Sequence, residues 1–339
     1  MPDHTQYMQC MEVWGGNQAV DSGVVMAGLD AWAYSRPWKG AVAGGDVHYV
    51  SSCASGRIMR MLVADVAGHG GKVAETAVRL RQLMRRFVNH LDQRRFVAEL
   101  NTEFANLSQD GRFATAAVFT FFTPTNGLTI SNAGHPPPLL YRAKPRRWEI
   151  VLPTDEQALR GRKVESPRGD EDGGVANGPA NLPLGIVDAP RYDALPLKMN
   201  IGDLVLCYTD SLIESRSRDG RLLGAEGLLE IVRRVELNDP STFIPSLLQE
   251  IAAEAPGNLE GDDVTALLFR PNGLGLKFSL RERLGTYGRV IRAAGRAITF
   301  RERFPWPDLH MANVGGAMFS RFNQRWRSEG HAGSDDRRE

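Results

Sequence analysis

The sequence is poor in the features that mark several common protein classes. It has only 3 cysteines in 339 residues, widely separated and without a Cys-x-x-Cys pair, so neither a disulfide framework nor a cysteine zinc site is expected. Free thiols fit a reducing compartment, and we predict a cytoplasmic protein. No run of about 18 apolar residues is present, so no membrane-spanning helix is expected. The N-terminus lacks the basic start and the apolar stretch of a secretory signal.

Signatures of several enzyme classes are also missing. The sequence has no G-x-x-x-x-G-K-S/T loop, which disfavours ATPases and kinases. Its 7 histidines are too scattered for a metalloprotease signature. No C-x5-R loop of the tyrosine-phosphatase kind occurs, so a cysteine nucleophile is not expected either.

What is present is an ordinary composition with an uneven distribution of charge. Hydrophobic residues make up 42% and charged residues 24%, as in soluble globular proteins, and the length suffices for one large domain or two. Residues 271–339 hold 13 Lys and Arg against 7 Asp and Glu, a net charge of +6. Because the whole chain carries +1, the first 270 residues carry −5. The C-terminal segment is therefore expected to differ from the body of the chain in the partners that it contacts.

Apolar patterns predict strands and helices in separate blocks. Alternating or continuous apolar runs indicate strands at 57–64, 113–122, 128–131, 139–141, 204–208 and 264–269. Helices are predicted at 72–90, 94–107, 225–235 and 242–253. The expected fold class is α+β, a sandwich in which helix pairs pack on sheets.

The chain divides into five predicted segments. Residues 1–43 are too few for an independent sensor domain and are expected to add strands that cap the main domain, 44–270. Within that domain, 153–181 holds five glycines, three prolines and ten charged residues among 29, which predicts a flexible insert. A basic amphipathic extension (271–327) and a disordered tail (328–339) are predicted to follow.

The basic extension has two interpretations. A helix predicted for 281–303 has apolar residues on one face and arginines largely opposite, with aromatic residues after it. It could lie on an anionic membrane surface through 281–306, or pack its apolar face on the domain or on a partner. Three glycines weaken the helix, and packing is the favoured interpretation. No nucleic-acid partner is expected, because no matching fold signature accompanies the arginines.

Four stretches place acidic residues at strand ends or on a glycine turn. Asp46 follows two glycines, Asp65 and Asp210 follow apolar strands, and the pair Asp262-Asp263 precedes one. A single aspartate of this kind is more often a turn or cap residue. Several gathered at one place would repel one another unless a cation lay between them. Oxygen ligands without a Cys or His cluster favour Mg²⁺ or Mn²⁺ over zinc.

Eight short stretches, spread over about residues 44–270, form a specific pattern when taken together. They are Gly44-Gly45-Asp46, Asp65-Val66-Ala67-Gly68-His69-Gly70, Phe113-Ala114-Thr115-Ala116, Asn132-Ala133-Gly134-His135-Pro136-Pro137-Pro138, Leu182-Pro183-Leu184-Gly185, Gly202-Asp203, Tyr208-Thr209-Asp210 and Gly261-Asp262-Asp263-Val264-Thr265. In these stretches and in their order, the sequence resembles the PPM family of metal-dependent protein phosphatases, in its bacterial SpoIIE/RsbU-type branch. One such match is weak, but eight in order are a specific signal.

The resemblance implies an αββα sandwich, with two antiparallel sheets flanked by helix pairs. The ligands implied for two Mn²⁺ or Mg²⁺ ions are Asp46, Asp65, Asp210, Asp262 and the backbone carbonyl of Val66. Asp263 is implied either as a further ligand or as a residue that orients a metal-bound water. The implied reaction is hydrolysis of phosphoserine or phosphothreonine on a protein by metal-activated water.

The group that would protonate the leaving oxygen is open. Eukaryotic members of the family carry a histidine where this sequence has Ala67. His69 and His135, both in matched stretches, are the candidate catalytic residues in its place. Each also has a structural interpretation, His69 at a helix start and His135 in a turn beside prolines, and we favour the structural one.

The resemblance also implies partners. A phosphoprotein is the expected substrate, with a phosphorylated anti-sigma-factor antagonist as the candidate. A regulatory protein could act by moving the helices at 72–90 and 94–107, which follow the Asp65 stretch. The alternative is a non-catalytic phosphatase-like module that binds a phosphoprotein or serves as a scaffold. Such a module would be expected to have lost ligand aspartates, and all are present, so the enzyme is favoured.

Overall fold

The computed structural model describes residues 5–8, 13–53, 56–68, 70–87, 92–107, 111–152, 180–188 and 191–274. Within these ranges the strands are β1 (Thr5–Tyr7), β2 (Val13–Gly16), β3 (Val20–Met26), β4 (Leu29–Arg36), β5 (Asp46–Cys53), β6 (Ile58–Val66), β7 (Ala114–Phe122), β8 (Gly127–Ala133), β9 (Leu139–Arg142), β10 (Arg147–Ile150), β11 (Leu195–Lys198), β12 (Leu204–Tyr208) and β13 (Val264–Pro271). The helices are α1 (Gly71–Arg86), α2 (Gln93–Leu107), α3 (Ser211–Glu214), α4 (Gly224–Arg234) and α5 (Pro240–Glu254).

The helices form where the sequence supplies an apolar stripe and a defined start. In α1, apolar residues from Val73 to Met84 recur at intervals of three and four and are buried. α5 begins at Pro240, whose fixed φ and missing N–H suit the first helical turn. The side chain of Asp239 caps this helix by accepting a hydrogen bond from the backbone N–H of Ser241.

The strands form two sheets. One has six strands in the order β11-β8-β7-β6-β5-β2, and the other has seven in the order β1-β3-β4-β13-β12-β9-β10. The predicted α+β sandwich is confirmed, with one departure from two purely antiparallel sheets. β1 pairs with β3 in parallel, because the chain crosses to the other sheet and forms β2 between them instead of turning back in a hairpin.

The sheets pack face to face, with helices on both outer faces. Alternation along β6 illustrates this arrangement: Met59, Met61 and Val63 join the core between the sheets, whereas Leu62 and Ala64 face α1 and α2. The outer face of the seven-stranded sheet is covered by α4 and α5, which supply the third apolar cluster. The resulting layers are helix, sheet, sheet and helix, and the strand ends are left at the rims of the sandwich.

The N-terminal strands belong to both layers. β2 pairs with β5 at the edge of the six-stranded sheet, and β3 and β4 form a hairpin in the seven-stranded sheet. In the predicted insert, 153–179 lies outside the described residues, while Ala180 forms a bridge with Arg191. The extension after residue 274 also lies outside the described residues, including the helix predicted for 281–303 and the tail predicted for 328–339. None of the helices that the structure describes is long and apolar enough to cross a membrane.

Candidate metal centre

Two aspartates meet at one end of the six-stranded sheet. β5 begins at Asp46 and β6 ends at Val66, and the antiparallel register of these strands places Asp46 opposite Asp65. β6 is buried along its whole length except at Asp65, which is half-buried. The strand therefore carries this carboxylate from the core to the rim, where a ligand can reach it.

Three more aspartates come from the seven-stranded sheet. β12 ends two residues before Asp210, and β13 begins directly after Asp262-Asp263. Because β12 and β13 are antiparallel neighbours, the end of one strand lies beside the start of the other. Asp210 and the acidic pair therefore share one end of this sheet.

Hydrogen bonds join these two sheet ends. The Thr209 hydroxyl donates to Asp46 Oδ2 at 2.8 Å, which ties the loop after β12 to the first residue of β5. Thr209 is itself held by Thr265, whose N–H donates to Thr209 Oγ1 at 3.1 Å and whose carbonyl accepts from the Thr209 N–H at 2.9 Å. The aspartates thus gather at one rim of the sandwich, with two on one layer and three on the other.

Burial and neighbouring carboxylates raise the pKa of Asp46, Asp65 and Asp210. The pKa of Asp65 is raised to about 7 by burial and by the charges of Asp210, Asp262, Asp263 and Glu214. Burial, and then the charge of Asp65, raise the pKa of Asp46 well above its usual range, against the hydrogen bond from Thr209. Burial, and then the charges of Glu214 and Asp262, raise the pKa of Asp210. A cation placed among them would favour the ionised forms instead.

The donor set fits a hard divalent cation in its chemistry. Carboxylate oxygens are the ligands that Mg²⁺ and Mn²⁺ prefer, and the raised pKa values reflect an excess of negative charge that such ions would offset. Within the described ranges, no group of three or more His, Cys, Asp or Glu side chains is arranged so that it could hold a metal ion as it stands. The aspartates therefore approach from two layers without forming a complete ligand shell.

The carbonyl of Val66 lies beside Gly45. A Cβ at position 45 would stand 2.9 Å from that carbonyl oxygen and 2.9 Å from a methyl group of Val73. Glycine therefore keeps open a space next to the oxygen that a side chain would fill. The ligand role of the Val66 carbonyl stays a prediction, and the space beside it is compatible with that role.

Asp263 has contacts unlike those expected of a free ligand. Its Oδ1 accepts the N–H of Trp38 at 2.6 Å. Its Oδ2 accepts the N–H of Gly45 at 2.5 Å and that of Asp46 at 3.3 Å. Both oxygens are therefore engaged with the backbone of another loop, an arrangement that neither of the roles predicted for this residue includes.

His135 is buried, with only 5% of the residue's surface exposed. Its Nδ1 shares a 2.9 Å hydrogen bond with Thr115 Oγ1, and its N–H and carbonyl are bridged by the Asn132 side chain. Burial lowers its pKa to about 3, so the ring is neutral at pH 7. This setting favours the structural role over proton donation to a leaving group. His69, the other candidate, lies outside the described residues.

Two residues near the site were not predicted from the sequence. Glu214 lies four residues after Asp210, at the end of α3, so helical spacing could have indicated it. Asn17 is buried, and its Nδ2 donates to the carbonyl oxygens of Gly44 at 2.9 Å and Ala74 at 3.0 Å. Asn17 thus links the loop before β5 to the first turn of α1, through partners 27 and 57 residues away that no local pattern marks.

Comparison with solved structures identifies the class of fold. The PP2C phosphatase domain of SpoIIE from Bacillus subtilis, solved with a fragment of its regulatory domain, superposes with a TM-score of 0.55 at 15% identity, over 78% of this chain and 64% of that chain. The RsbU and RsbW domains of a Mycobacterium tuberculosis protein give a TM-score of 0.55 at 20% identity, over 93% and 79% of the two chains. The SiaA PP2C domain of Pseudomonas aeruginosa gives 0.53 at 15%, over 71% and 84%. The fold is that of PP2C phosphatase domains.

A family model identifies the family within this class. The model described as Stage II sporulation protein E (SpoIIE) matches residues 55–159 and 168–272, more than half of the chain, and the chain belongs to the SpoIIE family. This result confirms the resemblance predicted from the sequence. The matched residues include Asp65, Asp210 and Asp262 but begin after Asp46. This chain spans less than two thirds of the Bacillus subtilis chain, and the comparison with curated proteins found no match.

Proposed function

We propose that this protein is a divalent-metal-dependent phosphatase that hydrolyses phosphoserine or phosphothreonine on a signalling protein. The observation that carries the proposal is the gathering of aspartates from two sheets at one rim, where burial and then like charges raise the pKa of Asp65 to about 7. Such a cluster is costly unless cations neutralise it. Membership of the SpoIIE family and the PP2C fold support phosphatase activity.

The residues proposed to hold two Mn²⁺ or Mg²⁺ ions are Asp46, Asp65, Asp210, Asp262 and the Val66 carbonyl. When bound, the ions would supply charge for the phosphoryl oxygens and the acidity that makes water a nucleophile. The chain itself fixes the donors. The β5–β6 register sets Asp46 opposite Asp65, and the Thr209 hydroxyl orients the Asp46 carboxylate at 2.8 Å.

The substrate that we propose is a phosphorylated anti-sigma-factor antagonist, on the strength of the SpoIIE/RsbU resemblance. A regulatory partner is proposed to act on α1 and α2. The link from α1 to the loop before β5 supports this proposal, since Asn17 joins the carbonyl of Ala74 in α1 to that of Gly44. A non-catalytic phosphoprotein-binding module is the alternative, and none of the contacts among the described residues of the site favours it.

The test is hydrolysis of p-nitrophenyl phosphate and of a phosphoserine peptide with Mn²⁺, with Mg²⁺ or with EDTA. We expect turnover with metal and none with EDTA. Asp65→Asn should lower turnover by at least about 100-fold, because loss of a ligand should exceed the 10–100-fold loss typical of a residue that only supports a ligand. Asp203→Asn, at the far end of β12, is the matched control and should retain turnover.

The two functions predict different outcomes in the same assay. A folded wild-type protein that neither binds Mn²⁺ in calorimetry nor hydrolyses either substrate would favour the binding module over the enzyme. Equal activity of wild type and Asp65→Asn would remove Asp65 from the site. Partner control is contradicted if the isolated protein is fully active and unaffected by any candidate partner.

A further inference from the structure

We infer that Asp263 is a positioning residue, not a metal ligand: its carboxylate clamps the backbone that carries Asp46 and so sets where Asp46 meets the other carboxylates. This inference rests on the proposed function, in which Asp46 and Asp262 are ligands. It concerns two adjacent aspartates, Asp262 and Asp263, that the sequence alone cannot separate.

The clamp spans three segments of the chain. Asp263 Oδ1 accepts from the N–H of Trp38 at 2.6 Å, and Oδ2 accepts from those of Gly45 at 2.5 Å and Asp46 at 3.3 Å. Asp263 lies 217 to 225 residues after its three donors in sequence. The clamp therefore joins the start of β13, in one sheet, to the start of β5, in the other.

The acceptor capacity of Asp263 is largely used by these bonds. A carboxylate offers about four acceptor sites, and three N–H groups already occupy Asp263. Hydrogen bonds from backbone N–H groups to a charged carboxylate are also among the stronger ones. Asp262 differs, because it is exposed and accepts from the backbone N–H of Asp263 through Oδ1 at 2.8 Å. The geometry assigns the ligand role to Asp262 and the positioning role to Asp263.

Gly44 shows how closely the clamp fits. A Cβ built at position 44 would lie within 2.6 Å of all three atoms of the Asp263 carboxyl group. The Gly44 N–H donates to the Asn17 carbonyl at 2.8 Å, and the Gly44 carbonyl accepts from Asn17 Nδ2 at 2.9 Å, so the loop has little freedom to retreat. Glycine is thus required at position 44 by the presence of the carboxylate at position 263.

A second contact supports the loop that carries the clamp. The indole Nε1 of Trp38 donates to the carbonyl of Glu260 at 3.0 Å, and the backbone N–H of the same residue donates to Asp263. Trp38 therefore holds the 260–263 loop at two points. This brace explains how Asp263 keeps its orientation although part of the loop is exposed to solvent.

The first experiment measures thermal unfolding in EDTA, where a ligand and a clamp have opposite effects. Asp262→Asn removes a charge that raises the pKa of Asp65 and keeps an oxygen for the Asp263 N–H, so its melting temperature should equal or exceed that of wild type. Asp263→Asn removes a charge of the same kind, but it also leaves an amide group facing three backbone N–H donors. We expect the loss of these hydrogen bonds to exceed the relief of repulsion and to lower the melting temperature by about 4 °C. If Asp263→Asn melts no lower than Asp262→Asn, the clamp is refuted.

The second experiment measures Mn²⁺ binding by titration calorimetry, well below the melting temperature of each variant. Asp263→Asn should weaken Mn²⁺ binding by about 10-fold, because a displaced supporting residue moves a ligand without removing it. Asp203→Asn, whose carboxylate also accepts two backbone N–H groups but at the other end of β12, should lower stability and leave Mn²⁺ affinity unchanged. Unchanged Mn²⁺ affinity in Asp263→Asn would overturn the positioning role.

A double-mutant cycle keeps the test independent of any single variant. Gly44→Ala should lower the melting temperature in EDTA far more in wild type than in Asp263→Ala, where the colliding carboxylate is gone. Additive effects of the two changes would contradict the contact. These measurements need no phosphatase activity, so a failed activity assay would refute the proposed function and leave the clamp standing, whereas additivity would refute the clamp alone.

Discussion

The two ends of the strand pair β12–β13 are each closed by an aspartate, and the two aspartates differ in the charges around them. Asp203, directly before β12, accepts the N–H of Ala143 at 2.9 Å and that of Asn200 at 2.9 Å. It also forms an ion pair with Arg142 at 3.2 Å. Asp263, directly before β13, likewise accepts backbone N–H groups, but its charge adds to those that raise the pKa of Asp46 and Asp65.

The difference shows that a carboxylate that accepts backbone N–H groups can have two different roles. At the Asp203 end, a cation from the chain itself balances the buried carboxylate, so that end is complete within the protein. At the Asp263 end, the nearby charges that act on Asp65 are carboxylates, so under the proposed function the balancing cations would come from solution. The Asp203 end, here called the balanced end, is therefore stabilised without added ions. The Asp263 end, here called the conditional end, would be fully stabilised only when ions bind.

Removing the Asp203 carboxylate at the balanced end should have the largest effect on stability. Asp203→Ala leaves the N–H groups of Ala143 and Asn200 without their acceptor and Arg142 without its partner, which should lower the free energy of unfolding by about 4 kcal/mol. Urea unfolding in EDTA measures this change. Because the site lies at the other end of the strands, the Mn²⁺ affinity of the folded variant should not change, and a weakened affinity would contradict the separation of the two ends.

Changing pH should act at the conditional end. The pKa of Asp65 is raised from 3.8 to about 7 in the folded protein, so folding takes up a proton between these values and stability is lost as pH rises through about 7. Asp65→Asn removes this loss, so its advantage over wild type in EDTA should grow by about 2 kcal/mol between pH 5 and pH 8. Urea midpoints of both proteins at the two pH values test this.

Comparing the two proteins at each pH cancels the other groups that titrate. His48 and His135, whose pKa values burial lowers to about 4 and about 3, oppose the trend at the acidic side in both proteins equally. Saturating Mn²⁺ should reverse the order and make wild type the more stable protein. An advantage of Asp65→Asn that is the same at pH 5 and pH 8 would show that Asp65 is not the titrating group.

The smallest expected effect is at the link between α1 and the conditional end. Asn17→Ala removes the bonds to the carbonyls of Gly44 and Ala74 and should lower the free energy of unfolding by about 1.5 kcal/mol. The Mn²⁺ concentration for half-maximal turnover should rise a few-fold, because the loop that precedes Asp46 is no longer held by Asn17. Asn272→Ala is the matched control, because Asn272 bridges Met26 and Asp30 at the far end of β13 and should change stability alone.

Local sequence was enough to predict the parts of the site that follow long apolar runs. Apart from Arg60, β6 is apolar up to Asp65, and the helical pattern after it corresponds to α1, with Gly71–Arg86 observed for the predicted 72–90. β12 and β13 were also predicted, at 204–208 and 264–269, and these strands place Asp210 and Asp262. In each case an apolar period or a continuous apolar run indicates the element.

The remaining parts depend on pairing between distant segments. β5 was not predicted, because Asp46–Cys53 mixes polar residues such as His48 and Ser51 with apolar ones, and both are buried only through sheet pairing. The contacts of Asp263 join residues more than 200 positions apart, so local propensity carries no information about them. The alternatives left open for Asp263 in the sequence reflected this limit, and the parallel pairing of β1 with β3 escaped prediction for the same reason.

Because the aspartates are divided between two sheets, the distances between them depend on how the sheets are aligned. Asp46 and Asp65 belong to the six-stranded sheet, and Asp210, Asp262 and Asp263 lie next to strands of the seven-stranded sheet. If one sheet slid over the other, every distance between these two groups of aspartates would change together. Ions that bridge the two groups would fasten the layers together. By reciprocity, any protein that shifts the sheets must alter ion affinity by the same factor by which the ions alter its own binding.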